Sequence, residues 1–167
     1  MIRTKAQTSV EELGNRYFMM GPYMEHMVRT EVEIEEEPTE RCFRETIQIF
    51  RDHGIKVVFG HWLIDGYPAV ILFDIGSAYY KLDEWKHDFY EVTHIGIPHH
   101  DRESNDALIL GYCVTWFLEE SYKRIQEIYG TPLMVTQFHE WQAGVGLILC
   151  RTRHLDIATV FTTHATL

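Results

Sequence analysis

Short β-branched runs that alternate with longer stretches of helical period constrain this 167-residue chain more than any other feature. That pattern folds as an α/β sheet with flanking helices rather than as a sandwich or a bundle. Tyr17-Phe18-Met19-Met20 reads as a buried strand that stops at Gly21-Pro22, where proline withholds a backbone donor. Glu31-Val32-Glu33-Ile34-Glu35 alternates strictly, which predicts an edge or half-exposed strand with its glutamates in water. From Thr39 to His53, Phe43, Ile47 and Phe50 recur at spacings of four and three. They describe an amphipathic helix with Thr39 as its cap and Gly54 as its close.

Lys56-Val57-Val58-Phe59-Gly60 and Ala69-Val70-Ile71-Leu72-Phe73-Asp74 are strands, with a turn at Asp65-Gly66 between them. The aromatic stretch that follows, with Tyr79, Tyr80, Trp85, Phe89 and Tyr90, is less regular. Ser104 to Tyr129 is the longest helical pattern, apolar almost all round from Ala107 to Leu118 and one-sided thereafter, so its first half belongs in a core. Beyond Gly130-Thr131-Pro132 come a strand from Leu133 to Phe138, a helix from Trp141 to Arg153 and a last strand from Ile157 to Phe161. No internal repeat, low-complexity tract or linker interrupts this order.

Fifteen Lys and Arg stand against 25 Asp and Glu, a net charge of −10. Such an acidic excess argues against nucleic-acid partners, because phosphate recognition draws on clustered cations. The run from Glu31 to Glu37 is most simply a solvated edge that discourages strand-to-strand aggregation. Cys42, Cys113 and Cys150 are odd in number and widely spaced, which fits free thiols in a reducing, cytoplasmic compartment. No apolar run approaches the roughly 18 residues of a membrane span, and the N-terminal residues do not resemble a signal peptide.

Two strand ends gather the sharpest chemistry. His139, in Phe138-His139-Glu140-Trp141, falls where a strand gives way to a helix, and His164 falls just past the next strand. The connection is a β-helix-β crossover, so the two strands run parallel and their carboxyl ends open on one side. Open α/β sheets bind ligands outside those ends, so His139 and His164 are expected to converge on one ligand. There a neutral imidazole can donate to a sugar hydroxyl or a phosphate oxygen. A plain strand-end role is the competing reading for each. The segment His99-His100-Asp101-Arg102-Glu103-Ser104-Asn105-Asp106 precedes the long apolar helix. Capping by Asp101 or Ser104 is its simpler reading, and ligand contact by Asp101, Arg102 or Asn105 is compatible with it. Metal-ligand spacing is lacking among His94, His99, His100, Asp101, His139, Glu140 and His164, so no metal is expected. Gly144-Val145-Gly146 lacks the third glycine of a dinucleotide fingerprint.

Several long strings occur in one order: Arg3-Thr4-Lys5-Ala6, Tyr23 to Arg29, Phe59-Gly60-His61-Trp62-Leu63-Ile64, Asp101-Arg102-Glu103, Asn105-Asp106-Ala107, Phe138-His139-Glu140-Trp141, Ala143-Gly144-Val145-Gly146-Leu147 and Phe161 to Leu167. In these the chain resembles, essentially end to end, the N-terminal nucleotide-sugar transferase domain of the eukaryotic glycogen synthase family. The resemblance implies a mostly parallel, Rossmann-like sheet with flanking helices, the incomplete N-terminal half of a GT-B fold. It implies transfer of glucose from UDP-glucose to the nonreducing end of an α-1,4-glucan with retention, through an oxocarbenium-like state and without a cofactor or a required metal. On this resemblance His139 matches the active-site histidine beside the transferred glucose and His164 the histidine that binds the donor. Asp101, Arg102 and Asn105 are carried as substrate-binding candidates.

The resemblance further implies that residues 1–167 are a partial N-terminal glycosyltransferase domain. The family's first strand and glycine loop, its C-terminal domain and its glucose 6-phosphate activator site have no counterpart in the sequence. Such a chain is expected to be inactive alone, and to aggregate or lose order in isolation if a central strand is missing. Implied partners are glycogen, glycogenin and, in the full-length parent, further copies of the synthase. The competing function is a non-catalytic fragment that binds glycogenin or synthase subunits.

Overall fold

The computed structural model describes residues 2–164; positions 165–167, which end the last of the strings above, lie outside the described residues. The chain divides into two compact units, Met1–Asp74 and Ile75–Leu167.

In the first unit, α1 (Ile2–Leu13) leads through a 3₁₀ turn into β1 (Phe18–Pro22). Then come α2 (Glu25–Glu31), β2 (Val32–Ile34), α3 (Arg41–Asp52), β3 (Val57–Trp62) and β4 (Ala69–Phe73). The four strands form one sheet in the order β1-β4-β3-β2. Only β1 and β4 are parallel in it; β3 is antiparallel to both β4 and β2. The sheet is therefore mixed, not mostly parallel as expected. The cause is local: the link from β3 to β4 is a tight turn, Tyr67 N–H to Ile64 C=O at 2.9 Å with Gly66 at φ +89°, and a turn can only send the chain back antiparallel.

Helix α3 buries the stripe Cys42, Phe43, Thr46, Ile47 and Phe50. Its end is a Schellman closure: Ile55 N–H donates to Phe50 C=O and Gly54 N–H to Arg51 C=O, with Gly54 at φ +74°. Thr39 does not cap its start. The cap residue is Glu40, without a side-chain bond, while the Thr39 hydroxyl donates to Glu35 at 3.4 Å. Phe50 and Phe73 meet at 5.6 Å beside Ile47, Ile55 and Ile71, all essentially sealed from water, and each contributes about 2 kcal/mol of burial. β1 is a half-buried edge strand ending in Pro22, not a buried one, as suits a residue with no donor for a further neighbour. The acidic edge is also less solvated than its composition suggests. Glu31 accepts from the Trp62 indole at 3.2 Å, and Glu33 accepts from the Tyr67 hydroxyl.

The second unit begins with a 3₁₀ turn (Ile75–Lys81) and α4 (Leu82–Thr93). The aromatic stretch is thus irregular only at Tyr79 and Tyr80, in the 3₁₀ turn, and becomes a regular helix after it, with Trp85 and Phe89, four apart, as the buried face. After it come α5 (Arg102–Tyr129), β5 (Val135–His139), α6 (Glu140–Thr152) and β6 (Ala158–Thr162). Strands β5 and β6 pair in parallel as a separate two-stranded sheet. Helix α5 buries Ala107 through Leu118 almost without break, as its all-round apolarity predicts. Trp85 stacks on Tyr112 at 4.9 Å, and the buried Tyr112 hydroxyl donates to Asp88.

The crossing of α5 and α6 has no room for a side chain. A β-carbon on Gly111 would lie 2.5 Å from Val145 Cγ1, and one on Gly146 would lie 2.8 Å from the Phe138 ring. The Thr115 hydroxyl donates to Gly146 C=O across the contact at 3.3 Å. Among the described residues, no helix is long and apolar enough to cross a membrane.

Candidate functional site

Phe138 and His139 are neighbours on β5, so they face opposite sides of the two-stranded sheet. Phe138 is buried against Gly146 of α6. His139 therefore emerges on the other face, opposite Thr162 in the parallel register. His164 lies two residues beyond Thr162 and continues that face past the end of the ladder. The two imidazoles come together there, ring centroids 5.9 Å apart and planes within 18°. His139 is half-buried and His164 exposed, so one ring is fixed by the sheet and the other meets solvent.

Three contacts tie the strand ends beneath the rings. Gln137 donates to the Thr162 hydroxyl at 2.6 Å. Glu140 Oε1 accepts from the His164 backbone N–H at 2.6 Å, and its Oε2 accepts from the Thr163 hydroxyl at 3.2 Å. Glu140 opens α6 with φ +61°, in the left-handed region. The sequence places Glu140 and Thr163 within the strand-end segments and Gln137 within the strand, but assigns none of the three a role at the site. The available signal was the placement of Glu140 directly after the strand-end histidine, facing the Thr-Thr-His that follows the partner strand.

Asp101, Arg102 and Asn105 gather elsewhere in the second unit, at the start of α5. The Asp101 carboxylate is the helix cap: it accepts from the backbone N–H groups of Glu103 and Ser104 and, at 2.6 Å, from the Ser104 hydroxyl. These bonds, the Ser104 hydroxyl first, hold its pKa below the ordinary aspartate value. The Arg102 side chain is exposed, with Nε 3.8 Å from Asp106. Asn105 is buried and donates to His99 C=O at 3.4 Å. Asp106 accepts from the Tyr79 hydroxyl at 2.6 Å.

The cap makes a pH-dependent prediction. A carboxyl whose folded pKa is depressed stabilises the fold above its unfolded value of 3.8 and ceases to as pH falls through the lower folded value. Asp101→Ala is expected to lower the urea midpoint at pH 6, with the gap from wild type closing below pH ~3. A gap that stays constant across that range would show that the carboxylate charge plays no part. Asp101→Asn, which keeps an acceptor, is expected to lie between the two.

Two shallow clefts, of about 220 and 330 Å³, flank the acidic loop of the first unit, with Glu36, Glu37 and Arg51 lining both. Neither contains the histidine pair. Among the described residues, no group of three or more His, Cys, Asp or Glu side chains is placed to hold a metal ion. Cys42, Cys113 and Cys150 are free and buried, and burial pushes the Cys113 thiol up to about 12.

Comparison with known proteins gives this site its context. The family model described as glycogen synthase matches residues 1–167. The chain is 52% identical over 167 residues to the liver glycogen [starch] synthase of Mus musculus, covering all of this chain and 23% of that protein. It is 52% identical over its full length to the glycogen [starch] synthase of Caenorhabditis elegans, 24% of which it covers. For the Neurospora crassa glycogen [starch] synthase the identity is 42% and the coverage 23%. The chain thus spans about a quarter of the length of these relatives, and it belongs to the glycogen synthase family.

Proposed function

We propose that this chain supplies the donor-side wall of a glycogen synthase that transfers glucose from UDP-glucose to the nonreducing end of an α-1,4-glucan, with retention. The observation that carries this reading is the pairing of His139 and His164 at the carboxyl ends of two parallel strands in a chain of this family. His139, held by the sheet, donates to the transferred glucose and stabilises the charge that develops as the glycosidic bond to the diphosphate breaks. His164 contacts the donor at the solvent side. Asp101, Arg102 and Asn105 serve substrate binding, with Asp101 acting through the geometry of the α5 start.

In this reading the two units form part of a Rossmann-like N-terminal domain of a GT-B enzyme. The enzyme needs no cofactor and no metal, works in the cytoplasm as a homo-oligomer, and has glycogenin as a protein partner.

The test is transfer of labelled glucose from UDP-glucose to glycogen. A polypeptide of full family length that carries this segment is expected to be active, and the 167-residue chain alone to transfer no measurable glucose. An inactive full-length polypeptide that still binds a glycogenin tail would overturn the enzymatic reading in favour of the interaction fragment. Robust turnover by the short chain would overturn the assignment of only one wall of the site to it.

A further inference from the structure

We infer that Glu140 is a positioning residue for the transfer, latching the end of β6 to the end of β5 so that the His164 ring is held against His139. The inference rests on the donor-side reading above. The ladder of β5 and β6 ends at His139 and Thr162, so backbone pairing no longer holds the chain where His164 stands. The Glu140 carboxylate reaches across that gap with both oxygens, one to the His164 N–H at 2.6 Å and one to the Thr163 hydroxyl at 3.2 Å.

A second observation, from the backbone, points the same way. Glu140 sits at φ +61°, a conformation that costs a side-chain-bearing residue free energy and that glycine adopts readily. A residue held there against that preference needs a compensating contact, and the two bonds to β6 are that contact. Both carboxylate oxygens face donors, one of them a backbone amide that does not ionise. Glu140 is therefore placed as an orienting group, with both oxygens spent on the end of β6. Its neighbour in sequence, His139, is the ring that would feel any shift of His164.

The experiment uses the full-length polypeptide with UDP-glucose and glycogen. Glu140→Ala is expected to lower kcat/KM for UDP-glucose by about 30- to 100-fold, the loss that goes with a displacement near 1 Å at a reacting centre. Glu140→Gln keeps an oxygen for the His164 N–H and is expected to recover to within about fivefold of wild type. Glu140→Gly, which suits the left-handed backbone, guards against a variant that fails to fold and is expected to match Glu140→Ala in activity.

The discriminating measurement is a double-mutant cycle. If Glu140 acts through His164, adding Glu140→Ala to His164→Ala lowers kcat/KM by less than about twofold further. Full additivity, or a Glu140→Gly variant as active as wild type, overturns the inference and leaves the functional reading intact. A wild-type polypeptide that transfers no glucose overturns the functional reading, and the inference with it. Amide exchange separates the two levels: the His164 N–H is expected to exchange at least tenfold faster in Glu140→Gly, and an unchanged rate overturns the latch itself.

Discussion

Alanine at Gly111 is expected to lower the stability of the second unit by about 2 kcal/mol, whereas alanine at Gly144, on the same helix pair, raises it. Both glycines lie in helix interiors, where the added methyl gains roughly 0.5–1 kcal/mol from the smaller backbone entropy loss. At Gly144 nothing lies within 4 Å of the new carbon, so that gain stands alone. At Gly111 the methyl would meet Val145 Cβ at 2.7 Å and Gly146 N at 2.9 Å. Val145 Cγ1, nearer still at 2.5 Å, sits on a β-branched side chain with little rotamer freedom and Gly146 N is backbone, so α5 and α6 must separate, at a cost of about 3 kcal/mol. The net loss at Gly111 corresponds to a melting temperature roughly 4–8 °C lower for a chain of this size. Urea midpoints read by tryptophan fluorescence would check both signs. A Gly111→Ala protein as stable as wild type would mean that the two helices do not cross where they are described.

The second large effect concerns turnover. In the full-length polypeptide, His139→Ala is expected to reduce glucose transfer by about 100- to 1,000-fold, the loss seen when one preorganised donor is removed from developing charge. Its effect on stability should be near 1 kcal/mol, because the ring is half-buried at the end of a strand and Phe138, not His139, anchors that strand in the core. Kinetics and thermal unfolding on the same preparation separate the two. A large drop in melting temperature with normal activity per folded molecule would make His139 a structural residue.

Much of the second unit was legible in residue order. The crossover from β5 through α6 to β6 follows from two β-branched runs spaced by a helix, and it alone dictates parallel strands with His139 and His164 at one end. The same logic misled in the first unit. Asp65-Gly66 marks a turn, and a turn makes β3 and β4 antiparallel, whereas the family resemblance implies a mostly parallel sheet. Local chemistry was the better guide there. The α4 helix is hard to read because Tyr79 and Tyr80 belong to the 3₁₀ turn before it and Tyr90 lies exposed on it, so only the buried Trp85–Phe89 spacing carries its period. The Glu140 latch is only half legible: the sequence sets Glu140 directly after the strand-end histidine but does not show what it bonds. It depends on a φ value and on a contact to a residue 24 positions away, neither of which has a signature in a single sequence.

The three sealed sulfhydryls make the chain its own stopwatch. Cys42 belongs to the first unit, Cys113 and Cys150 to the second, and none reacts with an alkylating reagent until the surrounding core opens. The pace at which each is modified therefore reports how readily the core around it opens, with no engineered probe. An operator comparing the Gly111 and Gly144 replacements would see the difference at Cys113 and Cys150, the two sulfhydryls of the unit that carries both glycines.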